Sequence, residues 1–132
     1  MPELPEVESV VQGLNQMILG EKIKTVEVRW PRIIESPVVE QFKSQLEGQI
    51  IKEVRRRGKF ILFYLTEDVL ISHLRMEGKY QVVDPANEVA DPFDTKHTHV
   101  VFHLESGQEL RYLDVRKFGR MSLVLKGQEF QH

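Results

Sequence analysis

The sequence predicts a mainly β, α+β domain: a two-layered antiparallel β sandwich with two flanking helices. Two segments near the N-terminus carry apolar residues at helical spacing. Most of the remainder falls into short β-branched and aromatic runs, separated by Gly, Pro, Asp and Asn. The chain of 132 residues is 41% hydrophobic, which supplies one substantial core without a covalent staple.

The first helix is predicted from Pro5 to Leu19, because Val7, Val10, Val11, Leu14 and Ile18 share one face. Pro5 suits a first turn, Glu6 and Glu8 favour the positive helix end, and Gly20 is a stop. "IKTVEVRW" then alternates as a strand and Pro31 closes it. "VVEQFKSQLEG" returns to helical spacing through Val39, Phe42 and Leu46. Seven further strands are expected in "IIKEVRRR", "KFILFYL", "VLISHL", "KYQVV", "HTHVVFHL", "ELRYLDV" and "GRMSLVL". "KFILFYL" is apolar on both faces and suits a central strand. "DPANEVADPFDTK", with two Asp-Pro pairs, is expected to be a loop.

Composition excludes several classes. With no Cys, there is neither a disulfide framework nor a thiolate metal site. No apolar run approaches the ~18 residues of a membrane span. The acidic N-terminus is unlike a signal peptide, so a cytoplasmic protein is expected. The net charge of −2 gives no global sign of nucleic-acid binding, so such a site would be a local patch.

Three local patches exist. Lys52, Arg55, Arg56, Arg57 and Lys59 surround Gly58. Arg75 and Lys79 flank Met76, Glu77 and Gly78. Arg111, Arg116, Lys117 and Arg120 stand against Asp114, with Phe118 among them. All lie at strand ends or turns and could converge on one rim, as phosphate binding requires. They could equally be solvated faces. Met76 and Phe118 could be core residues, or apolar wedges that enter between stacked bases. On a strand, His97, His99 and His103 share one face. Residues four apart on a strand are about 13 Å from each other, so His103 is out of reach of an ion held at His97. A solvated or phosphate-facing His edge is expected, and no metal site.

The N-terminus offers a nucleophile. If Met1 is removed, Pro2 carries a secondary amine. An α-amino group has a pKa of ~7.7–8.0 against ~10.4 for Lys, so far more of it is free base at neutral pH. Such an amine attacks a carbonyl-like carbon and forms an iminium. Glu3 and Glu6 supply carboxylates for proton transfer, and Lys59 supplies a cation. In the other reading, Pro2 and Pro5 only stiffen the start of a helix.

"PELPEVE" at the N-terminus, "RRGKF", "ISHLRMEGKY", "KHTHVVF" and "DVRKFG", in that order, resemble the bacterial formamidopyrimidine-DNA glycosylases, relatives of endonuclease VIII. The resemblance runs through essentially the whole chain and implies a two-layered β sandwich with flanking helices. It implies Pro2 as the nucleophile at C1′ of the damaged nucleotide, and Glu3 as the acid–base residue at the sugar ring oxygen. Glu6 would support that site, and Lys59 would contact phosphate and assist strand cleavage. Glu77 is placed near the lesion pocket. His97 and Arg116, with His73 and Arg75, are expected DNA contacts. Met76, Arg116 and Phe118 resemble the trio that fills the gap left by a flipped base.

The implied activity is excision of oxidised purines from double-stranded DNA, then elimination at both flanking phosphates, by a bacterial monomer that also accepts abasic sites. Full-length family members continue into a helix–two-turn–helix region and a four-Cys zinc finger. Residues 1–132 are therefore expected to be the N-terminal catalytic domain, with zinc belonging only to the absent region. Two other readings stay open: a non-catalytic DNA-binding fragment, and endonuclease VIII-like activity on oxidised pyrimidines.

Overall fold

A computed structural model describes residues 3–89 and 91–130. Pro2, the expected nucleophile, lies outside them. The element order is α1 (Leu4–Ile18), β1 (Ile23–Val28), a 3-10 turn (Pro31–Ile33), β2 (Ile34–Ser36), α2 (Val39–Leu46), β3 (Glu53–Arg57), β4 (Phe60–Tyr64), β5 (Asp68–His73), β6 (Lys79–Val83), α3 (Pro92–His97), β7 (Thr98–Leu104), β8 (Glu109–Leu113) and β9 (Arg120–Leu125). The strands form two sheets, ordered β1-β7-β8-β6 and β2-β9-β5-β4-β3. All pairs are antiparallel except β2 with β9, which is parallel.

The core lies between the sheets and under α1 and α2. Val7, Val11, Leu14 and Ile18 are buried along one stripe of α1, as their spacing predicts. Each such side chain contributes about 1.5–3 kcal/mol. Phe42 and Leu46 of α2, Ile61 and Phe63 of β4, and Phe102 of β7 join the same cluster.

Asn15 fixes the direction of α1. Its amide donates to the Val54 carbonyl at 2.7 Å, and its oxygen accepts from the Val54 N–H at 2.9 Å. Val54 belongs to edge strand β3, so the side chain stands in for a neighbouring strand. Two turns closer to the N-terminus, Glu8 lies 3.9 Å from Arg56. Hence α1 runs antiparallel to β3, and its N-terminus leads towards the Gly58 turn. At 1.5 Å per residue, Glu3 lies about 7 Å further on than Glu8.

Three expectations need correction. The loop expected across "DPANEVADPFDTK" contains α3: Asp91 caps it by accepting from the Phe93 N–H at 2.8 Å, and Pro92 fills the first turn. The Asp-Pro pair is thus a cap followed by a helix start. β1 ends at Val28, and its register shifts between Ile23 and Thr25, so simple alternation fails there. β2 was not expected at all. β4 is an interior strand, paired with β3 and β5, as its two apolar faces predict. Ile61 and Phe63 face the main core, whereas Leu62 joins a small cluster with Val69 and Val124 on the outer face.

Candidate nucleic-acid interface

Four segments meet at one end of the sandwich, and the strand register shows why. β3 and β4 form a hairpin that turns at Gly58, whose φ of +58° favours glycine. Arg57 pairs with Phe60, Phe60 with His73, and His73 with Arg120. These residues therefore cross the end of the second sheet as a row. Two connections between the sheets start at the same end. One leads from β5 to β6 and holds Arg75, Met76, Glu77 and Gly78. The other leads from β8 to β9 and holds Val115 to Gly119. The N-terminus of α1 points to this rim as well.

Beside this row lies a groove of about 600 Å³ lined by Arg57, Lys59, His73, Arg75 and Arg120. Phe60, Leu62 and Ile71 form its apolar floor. The Phe60 ring stacks on His73 at 4.5 Å. Burial, then Arg75 and Lys59, hold the His73 imidazole below its ordinary pKa, so it is neutral at pH 7. Glu35 and Glu129 line it too, so four basic side chains, Arg57, Lys59, Arg75 and Arg120, stand against two carboxylates, and the groove is net positive, as a phosphate chain requires.

The two connections carry the apolar candidates. Met76 is 45% exposed and Phe118 is 48% exposed, so neither belongs to the core. Arg116 bridges the connections: its Nε donates to Glu77 Oε1 at 3.2 Å. Both partners are exposed, so this pair adds at most about 1 kcal/mol. Arg75 and Lys117 both adopt positive φ, of 59° and 60°. This backbone turns Lys117 away, and its Nζ lies 4.0 Å from the centre of the Trp30 ring. Arg120 folds back on the chain and donates to the Gly119 and Lys117 carbonyls. The third basic patch therefore divides: Arg116 joins the two connections, while Lys117 and Arg120 engage Trp30 and the chain itself.

Glu3 caps α1 through its backbone carbonyl, which accepts from the Val7 N–H at 3.0 Å, and its side chain makes no capping bond. Glu3 and Glu6 are both exposed. His97 ends α3 instead of starting a strand. Its carbonyl accepts from the Asp114 N–H at 3.0 Å, which places it at the rim, and its ring meets Phe93 edge-on at 4.6 Å.

The expected solvated or phosphate-facing histidine edge fails at His99, while His97 and His103 stay partly exposed. His99 is only 4% exposed, and its Nε2 donates to the Asp114 carbonyl at 2.7 Å. His103 sits between Glu27 and Glu109. Burial holds the His99 pKa below its usual value. The unfolded chain then takes up a proton first, near pH ~6.5. Stability from the neutral buried ring is complete above that pH, falls as the pH drops below it, and levels off once the folded ring protonates. Urea unfolding at pH 7.5 and pH 5 should show this loss, and His99→Gln should reduce it. An undiminished loss in the variant would assign the acid sensitivity elsewhere.

Sequence reasoning missed Tyr112 and Asp114. Asp114 counted only as a negative charge among cations. It is 1% exposed, and its carboxylate accepts from the Arg116, Lys117 and Gly119 N–H groups and from the Tyr112 hydroxyl. An Asp followed within five residues by Gly is a turn signal that could have exposed this role.

Comparison with known proteins now bears on this geometry. The profile of the formamidopyrimidine-DNA glycosylase N-terminal domain matches residues 1–121. This chain belongs to the formamidopyrimidine-DNA glycosylase family. The glycosylase of Enterococcus faecalis is 55% identical over 132 residues, all of this chain and 45% of that protein. The Bacillus subtilis glycosylase is 50% identical over 130 residues, 98% of this chain and 45% of the relative. The chain thus spans less than half the length of these glycosylases. A crystal structure of Lactococcus lactis Fpg with DNA containing an abasic site superposes with a TM-score of 0.86 at 39% identity, covering 96% of this chain and 45% of that one. A complex of the same glycosylase with DNA containing Fapy-dG gives 0.84 at 38% identity, with 96% and 45% covered. The mainly β sandwich expected of the family is the fold observed.

Proposed function

We propose that this chain is the catalytic part of a DNA glycosylase/AP lyase that removes oxidised purines from double-stranded DNA. The observation that carries the reading is the convergence at one rim of the α1 N-terminus, Lys59 and two connections with exposed Met76 and Phe118. This rim belongs to a member of a DNA glycosylase family, and one relative, the Lactococcus lactis glycosylase, holds damaged DNA in two solved complexes.

The chemistry is assigned as follows. Met76, Arg116 and Phe118 enter the helix and hold the gap left by the flipped nucleotide. With Met1 removed, the Pro2 nitrogen bonds to C1′ while the bond from C1′ to the base breaks. Glu3 protonates the sugar ring oxygen as the ring opens, leaving an iminium between Pro2 and C1′. Loss of the C2′ proton expels the 3′ phosphate with its bonding electrons, and a second elimination expels the 5′ phosphate. Lys59 holds a phosphate and assists these proton transfers, while Glu6 supports the α1 end.

Covalent capture tests this reading. Borohydride should trap an adduct between an abasic duplex and the chain that begins at Pro2. Peptide mapping of the adduct to Lys59, or DNA binding with no adduct at any residue, would overturn the assignment. The second result would favour a non-catalytic DNA-binding fragment.

Proton uptake gives a further expectation. A DNA phosphate in the groove offsets the Arg75 and Lys59 charges that depress the His73 pKa. Binding then favours the protonated ring, so duplex affinity should rise as the pH falls from 8 towards 6. His73→Gln should flatten that dependence in a titration at fixed salt. An equally steep dependence in the variant would remove His73 from the contact.

A further inference from the structure

We propose that the Tyr112 hydroxyl and the Asp114 carboxylate form a hub that locks both inter-sheet connections into one preset wedge. The inference rests on the DNA reading above and deepens it, because it names positioning residues behind the side chains that touch DNA.

The hub is buried. Tyr112 is fully buried, and its ring meets Tyr80 at 5.3 Å in the core. Its hydroxyl donates to Asp114 Oδ2 at 2.8 Å. The same oxygen accepts from the Gly119 N–H at 2.8 Å. The other oxygen accepts from the N–H groups of Arg116 at 3.1 Å and Lys117 at 3.0 Å. Both ends of the β8–β9 connection are therefore tied to one carboxylate. Burial, and then the Asp114 charge, hold the phenol well above its ordinary pKa, so it acts as a donor.

The other connection touches the same hydroxyl. Gly78 closes the turn after β5 by donating to the Leu74 carbonyl at 3.0 Å. A Cβ at Gly78 would lie 2.4 Å from the phenol oxygen, and one at Gly119 would lie 1.7 Å from it. Neither residue has room for a side chain: the hydroxyl is the nearest atom at both, joined at Gly78 by the Leu74 carbonyl at 2.7 Å. On the outer side, the Arg116–Glu77 bond joins the same two segments. Met76 and Phe118 are thus set on opposite sides of a braced junction. Side chains fixed before binding lose little order on insertion, so more of the contact energy remains for unstacking bases.

Tyr112→Phe removes only the hydroxyl. Tyr80→Phe is the matched control, since it deletes a neighbouring phenol hydroxyl whose hydrogen bond, at 2.6 Å, goes to Ser72 Oγ in β5 instead of to either connection. The first readout needs no DNA. Amide hydrogen exchange in the 132-residue chain should quicken about five- to tenfold at both Gly78 and Gly119 in Tyr112→Phe, as for one lost hydrogen bond. It should stay unchanged at both in Tyr80→Phe. The second readout is 2-aminopurine fluorescence in a duplex beside an abasic-site analogue, at saturating protein. Wild type and Tyr80→Phe should raise the fluorescence. Tyr112→Phe should give about a third of that rise or less, with duplex affinity within about twofold, because phosphate contacts set affinity and the wedge sets unstacking.

Faster exchange at Gly119 alone would overturn the coupling. An equal fluorescence rise in Tyr112→Phe would overturn the positioning role. A wild-type chain that binds duplex without any rise would overturn the wedge reading itself, and the exchange readout tells that failure from a failure of the hub.

Discussion

Gly119→Ala is expected to cost the domain about 3 kcal/mol or more, at the upper end of overpacking penalties. The reason is space. An added Cβ would meet the Tyr112 oxygen at 1.7 Å, its ring carbon at 2.8 Å and Asp114 Oδ2 at 3.0 Å. Tyr112 cannot retreat, because it is fully buried among other core side chains. Gly58→Ala is the contrast. Its Cβ would meet nothing within 4 Å, so only the strain of a positive φ remains, about 1–2 kcal/mol. Urea denaturation of both variants measures the difference. Combining Gly119→Ala with Tyr112→Phe should recover part of the loss, since the closest atom is gone while the ring carbon stays. A cost for Gly119→Ala no greater than for Gly58→Ala would mean that the phenol is not wedged where the structure has it.

Met76→Ala and Phe118→Ala should separate stability from function. Both residues are close to half exposed, so each substitution should change folding stability by no more than about 0.5 kcal/mol. Phe102→Ala, in the core, should cost about 3–5 kcal/mol. On lesion-containing duplex the order reverses. Unstacking a base step costs a few kcal/mol, and apolar insertion offsets it. Each 1.4 kcal/mol corresponds to a factor of about ten, so losing either wedge should slow excision about ten- to a hundredfold. Denaturation and single-turnover excision on the same preparations give both numbers. If both alanine variants unfold easily, or excise at the wild-type rate, Met76 and Phe118 are not the wedge.

Local patterns were legible in the sequence, and long-range coincidences were not. The α1 stripe and the Gly58 hairpin follow from spacing and from one residue's backbone freedom, so both were readable. The glycines and cations beside Met76 and Phe118 left them open between core and rim, and the family resemblance favoured the rim. β2 escaped because a three-residue strand gains its identity only from parallel pairing with β9, far along the chain. His99 looked solvated because the strand was read with simple alternation. The chain instead leaves α3 at His97, and the ring turns into a pocket closed by the Asp114 carbonyl. Tyr112 looked like any core aromatic. Its role exists only because two crossings, separated by dozens of residues, share one end of the sandwich.

The clasp between Asn15 and Val54 also bears on how these molecules meet one another in concentrated solution. A terminal strand with unsatisfied main-chain groups is a template on which a second molecule can extend the sheet. Near the start of β3 that template is already taken, because the Val54 N–H and C=O are both held by the Asn15 amide. Arg55, Arg56 and Arg57 follow at once, and their like charges repel an identical strand laid alongside. Asn15→Ala would release two hydrogen-bonding groups on an exposed margin. Light scattering at rising protein concentration should then show self-association that the parent chain resists.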